Sequence, residues 1–201
     1  MQTEEQFSEK QSISLIKEMV EVSSKNLKKD GLLILAWGVA FVLGAFLNFF
    51  PEVKLISKRL IFVFDVFGLM LGIGVVLFTV YYVFFKKKGI KTYVATTAAY
   101  TWFGIIVVYN LIVILIKQKT GEVNFELLHP MQMALIGLAL FVTGGLYREK
   151  LLLLGGVVYW FAAYFAVRYR LPIQLIFEFV AGFIGFIIPG AWLYYQSIKN
   201  V

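Results

Sequence analysis

Two carboxylates stand inside otherwise apolar sequence, Asp65 in FDVFG and Glu178 in FEFVAG. His129, the only histidine, precedes another apolar run, and Asn48, Asn110, Gln132 and Gln174 sit near the ends of such runs. An ionised acid at the centre of a membrane helix costs roughly 2.5–3.5 kcal/mol on insertion scales. It persists by staying protonated, facing a cavity, pairing with a base or binding a cation. Two acids in matching contexts fit a proton- or cation-handling site built on Asp65 and Glu178, with Asn110, His129 and Gln174 as polar neighbours. The structural alternative is protonation or an ion pair to Arg168 or Arg170, which lie just before the last apolar run.

Other chemistries lack a part. His129 and the two acids would make three metal ligands, but without diagnostic spacing, so neither a metal nor a cofactor is expected. The chain has no cysteine, which removes disulfides and thiolate catalysis. Ser57 is the one serine near the histidine's end of the apolar runs, so a Ser/His/Asp arrangement fails. No catalytic residue is assigned, and the expectation is a protein that is not an enzyme.

The elements that must position these groups are helices in lipid. Of 201 residues, 60% are apolar and mean hydropathy is +0.81, whereas soluble domains run nearer 45–50% apolar. Six stretches, 32–50, 60–85, 93–116, 131–147, 151–167 and 172–196, approach the roughly 17–25 residues that a helix needs to cross a bilayer. Alternating strands of a membrane barrel are missing. The fold class is therefore all-α, a polytopic bundle of six transmembrane helices with an amphipathic helix in front. Only REK (148–150) separates the fourth and fifth spans, which predicts a tight hairpin. The formal charge of +7 is dispersed between apolar runs, a pattern of topology signals and headgroup contacts rather than nucleic-acid binding.

Placing the N-terminus in the cytoplasm puts 12 Lys and Arg inside and 7 outside, with KKKGIK (86–91) the strongest inner signal. This favours both termini inside. No cleavage pattern follows the first apolar run, so that span is expected to act as the insertion signal. Tyr81, Tyr82, Tyr93, Tyr147, Trp192, Tyr194 and Tyr195 then fall at inner helix ends, where amphipathic rings prefer the headgroup layer. Asp65 and Glu178 both fall in outer halves, level with the other polar groups, and the inner half is expected to have no equivalent. Both acids are expected to turn towards the interior.

Residues 1–31 form the cytoplasmic tail and 32–201 the membrane domain. In 12–31, Ile13, Ile16, Val20 and Leu27 share one helical stripe, fitting an interfacial helix or a docking helix for a cytoplasmic partner. GLMLG (68–72) places Gly68 and Gly72 at GxxxG spacing, and Ala181 with Gly185 repeats it. Gly144, Gly145, Gly155 and Gly156 flank the REK turn. Small residues at this spacing let helix backbones approach closely. Pro130 and Pro172 are expected in the first turns of spans, and Pro189 in IIPG to loosen the sixth.

ALFVTGGLYREKLLLLGGVVYWFAAYFA (139–166), with GFIIPGAWLYY and SLIKEMVEVSSKNLKKDGLLILAWG, resembles a bacterial family of uncharacterised small multi-pass membrane proteins. The resemblance implies a bacterial inner-membrane location and carries no activity. The expected role is a non-enzymatic membrane module acting through helix contacts, with further copies of itself or with a membrane or cytoplasmic protein. The alternative is a small proton- or cation-coupled transporter or channel using Asp65 and Glu178.

Overall fold

The computed structural model describes residues 13–14, 16–18, 27, 30–82, 85 and 93–199. It is all-helical among these residues. The helices are α1 (Gly31–Glu52), α2 (Lys58–Tyr81), α3 (Tyr93–Thr120), α4 (Phe125–Tyr147), α5 (Lys150–Ala166), α6 (Leu171–Gly182) and α7 (Ile188–Lys199). A five-residue π-helical segment, Phe183–Ile187, joins α6 to α7. Five continuous units, α1, α2, α3, α4 and Leu171–Lys199, are long and apolar enough to cross a membrane. The sixth apolar helix, α5, has 17 residues, about 25 Å at 1.5 Å rise per residue. Large apolar side chains such as Phe62, Leu69 and Phe103 are two-thirds exposed. That surface suits hydrocarbon, and the chain is a multi-pass helical membrane protein.

The hairpin of α4 and α5 forms the centre, and α1 packs on α6, the π segment and α7. Around this core, α2 leans mainly on α1 and α3 mainly on α4. Each peripheral helix is fastened by an indole. Trp37 Nε1 donates to Thr79 Oγ1 at 3.0 Å, and Trp102 Nε1 donates to Thr143 Oγ1 at 3.1 Å. Between apolar surfaces that lipid solvates equally well, such bonds decide which faces meet.

The REK hairpin turns in two residues. Arg148 adopts the left-handed conformation at φ 56°, and Glu149 N–H returns to the Gly144 carbonyl at 2.8 Å, closing the helix end as a Schellman-type cap does. Gly144 then lies against the Leu153 backbone, Gly156 against the Gly137 carbonyl, and Gly155 against Gly185. Ala181 is fully buried. Gly145, Gly68 and Gly72 meet nothing within 4 Å. The glycines of GLMLG thus do not serve packing within the chain, because α2 turns them away from α1.

The π segment ends at Ile187, two residues before Pro189. A proline at 189 cannot donate to the Gly185 carbonyl, and the helix widens by one residue there instead of continuing its α ladder. The widened turn carries Phe186 into the centre, where the rings of Phe41, Trp102 and Tyr159 stand 5.2, 6.1 and 5.9 Å away.

Three expectations need correction. Helix α4 begins at Phe125, not 131, because Asn124 caps it by accepting from Leu127 N–H at 3.1 Å and Glu126 favours its positive end. Pro130 therefore lies inside that helix rather than in its first turn. The N-terminal stripe is not among these: Leu27 is buried while Ile13 and Ile16 are exposed, and an exposed apolar face is what an interfacial helix offers to lipid. Val20 and KKKGIK lie outside the described residues. Finally, the end of the bundle opposite Glu178, expected to have no such group, does hold a buried acid, since Asp30 is 8% exposed and hydrogen-bonded with the Tyr82 side chain.

Candidate functional site: a one-ended cavity at Glu178

Helix α6 brings Glu178 about 10 Å below its first residue, seven positions on at 1.5 Å each. The carboxylate faces inward because Gln174, Leu175, Glu178, Ala181 and Gly182 form the buried stripe of this helix. Its partner comes from α4. His129 Nε2 lies 2.8 Å from Glu178 Oε2, with the side chains 13% and 6% exposed. The ring nitrogen meets the distance of an ion pair but has no aligned hydrogen bond. The contact is one of proximity rather than direction. Arg168, one of the two bases anticipated from sequence with Arg170, stacks instead over Tyr164 at 4.8 Å and donates to its hydroxyl at 2.8 Å.

Above this pair opens a cavity of about 350 Å³. Helix α1 contributes one wall through Phe41, Gly44, Ala45, Asn48 and Glu52, spaced so that they share a face. Tyr109 enters from α3, Phe125, His129 and Gln132 from α4, and Leu171 and Glu178 from α6. Glu52, at the end of α1, is exposed at the rim. The lining stops at Ala40 and Phe41, below which Phe186 and its surrounding rings fill the bundle. The cavity is one-ended.

Gln174 frames the site without lining it. Its Nε2 donates to the Glu126 carbonyl at 2.9 Å and to the Tyr169 carbonyl at 2.8 Å. The Glu126 carbonyl needs this donor because Pro130, four residues on, has no N–H to offer. The amide thus ties the start of α6 to that of α4 and sets the separation of Glu178 from His129. Tyr159, wholly buried in α5, carries a hydroxyl with no hydrogen-bond partner among the described residues. It lies 3.5 Å from where a Gly182 Cβ would stand, beside Phe41.

Of the residues singled out from sequence, Glu178, His129 and Gln174 converge. Asn110 does not, since its side chain donates back to the Ile106 carbonyl at 2.8 Å on the exposed side of α3. Asp65 does not either. It is exposed on α2, on the far side of α1 from the cavity, so the two acids form no common site and only one turned inward. Glu52, Tyr109 and Tyr159 were missed. For Glu52 a signal existed, the spacing 41, 45, 48, 52 along α1, but tyrosines inside spans look the same whether they face protein or lipid. Among the described residues no group of three or more His, Cys, Asp or Glu is arranged to hold a metal.

Comparisons with protein-family models, with curated proteins and with solved structures return no match, so the reading of this site rests on its own geometry.

Proposed function

We propose that the protein is a six-span, non-enzymatic membrane module that binds a small polar solute in the cavity above Glu178, as a binding or transport site. The observation carrying this is the ionisable pair His129–Glu178 held 2.8 Å apart at the floor of a space large enough for a small ligand. Buried charge without a ligand role is costly, and hydrophobic residues of similar volume commonly serve stability as well or better. Apart from Tyr109, the lining offers no hydroxyl, thiol or amine nucleophile, which favours binding over group transfer. Both termini inside, with the cavity opening outward in a bacterial inner membrane, fits the Lys and Arg distribution and the family resemblance.

Ligand-dependent stabilisation tests the reading. The detergent-solubilised protein is heated with a panel of small cations, amines, neutral solutes and anions. A ligand at 100 times its Kd stabilises the folded state by about 2.7 kcal/mol, and Glu178→Gln removes that gain. A panel in which nothing raises the unfolding temperature counts against the reading.

A second reading rests on α2. Asp65, Gly68 and Gly72 share its outward face, where the glycines meet no atom within 4 Å. A carboxylate beside an open small-residue stripe suits contact with another transmembrane helix.

A further inference from the structure

Resting on the solute-binding reading, we infer that the cavity receives a small protonated amine, either free or as the ammonium headgroup of an aminophospholipid. Charge is the first argument. Glu52 from α1, Tyr109 from α3, His129 from α4 and Glu178 from α6 are the titratable groups that line it, with Tyr159 from α5 beside its floor. Two of these groups are carboxylates and, among the described residues, the lining holds no lysine or arginine, which favours a cation over an anion.

Donor and acceptor chemistry narrows the class. The lining carries two carboxylates, Glu178 and Glu52, beside the Asn48 and Gln132 amides. An R–NH3+ group carries three donors and satisfies the oxygens of the Glu178 carboxylate. A bare methyl or quaternary group would not. Phe41, Tyr109 and Phe125, from three different helices, add aromatic rings to the lining, a setting that suits a cation.

Access supports both sources. Helices α1 and α3 both border the cavity yet are not extensively packed on one another, so the route proposed for a headgroup runs between these two helices near the open end. Gly44 lies on that wall, and a Cβ there would meet nothing within 4 Å. The cavity runs from the helix ends marked by Glu52, Phe125 and Leu171 to Glu178, a depth of about 10 Å, as an amine entering from the headgroup layer requires.

The absence of native cysteine makes Gly44→Cys a clean reporter. In maltoside micelles its modification is followed with methyl, aminoethyl and sulfonatoethyl methanethiosulfonate. The aminoethyl reagent is expected to outpace the sulfonate at least tenfold beyond their ratio on a free thiol. Ethylammonium is expected to slow the neutral methyl reagent, and more so than tetramethylammonium. Glu178→Gln is expected to weaken ethylammonium protection by about tenfold or more, the range of a hydrogen bond to a charged group. Should that variant fail to fold, Glu52→Gln at the rim must still reduce the aminoethyl preference several-fold. Nanodiscs separate the sources. Protection by phosphatidylethanolamine relative to phosphatidylglycerol, without added amine, assigns the lipid headgroup, and protection by ethylammonium alone assigns a free amine. Equal rates for the cationic and anionic reagents, or protection unchanged by the carboxylate substitutions, overturn the inference while leaving an accessible cavity. No reaction even with the methyl reagent removes the cavity, and with it the solute-binding reading.

Discussion

Replacing Gly155 by alanine probes the central packing of this bundle with a single methyl group. A Cβ built at Gly155 lies 2.7 Å from the Gly185 Cα and 3.0 Å from its carbonyl oxygen, against about 3.5–4.0 Å for relaxed carbon contacts. The intruded atoms are backbone of the π segment, so no side chain can rotate away and α5 must back off by about 1 Å. Overpacking of this kind costs about 1–3 kcal/mol, and backbone against backbone belongs at the upper end. Alanine returns up to about 1 kcal/mol of helix propensity, for a net loss of about 2 kcal/mol. At Gly72, where a Cβ meets nothing within 4 Å, the same change keeps the propensity gain alone. The assay is reversible unfolding in mixed micelles of rising dodecyl sulfate fraction, followed by Trp fluorescence. Gly155→Ala within about 0.5 kcal/mol of the parent, or Gly72→Ala losing as much as Gly155→Ala, would refute the assignment of these two helix faces.

Further outcomes follow from the polar contacts. His129→Leu strands the Glu178 carboxylate, and the same unfolding assay should register a loss of about 3–5 kcal/mol, much of it recovered when Glu178→Leu is added. Gln174→Leu leaves the Glu126 and Tyr169 carbonyls without their donor, at about 1–3 kcal/mol for a buried unmet group, and should lower ethylammonium protection at Gly44→Cys by displacing α6. If the outward face of α2 meets lipid only, Asp65→Leu should favour insertion by up to about 2.5–3.5 kcal/mol, and Gly72→Cys should form no disulfide-linked dimer under oxidation in membranes. If that face meets a second copy, the dimer appears.

How much could be read beforehand differs between fold and site. Apolar run lengths located five of the six apolar helices to within a few residues at most of their ends, since a lipid-exposed helix must satisfy its backbone internally and show apolar side chains all round. The start of α4 escaped because FELLHP reads as loop, and its helix depends on the Asn124 cap and on Gln174 replacing a bond that Pro130 cannot make. The effect of Pro189 was legible, a weakened helix; its form, a π turn that delivers Phe186 to the centre, was not.

From residue types alone came the membrane, the helical class, the tight turn at REK and the cost of placing acids in hydrocarbon. Those follow from transfer free energies and backbone valence, which belong to each segment separately. The tertiary structure alone decided which acid turns inward, that its base is His129 and not Arg168, and that the GLMLG glycines face away while Gly155 and Gly185 touch. These depend on the rotation of each helix about its axis, and membrane helices that are apolar on every side carry almost no record of that rotation.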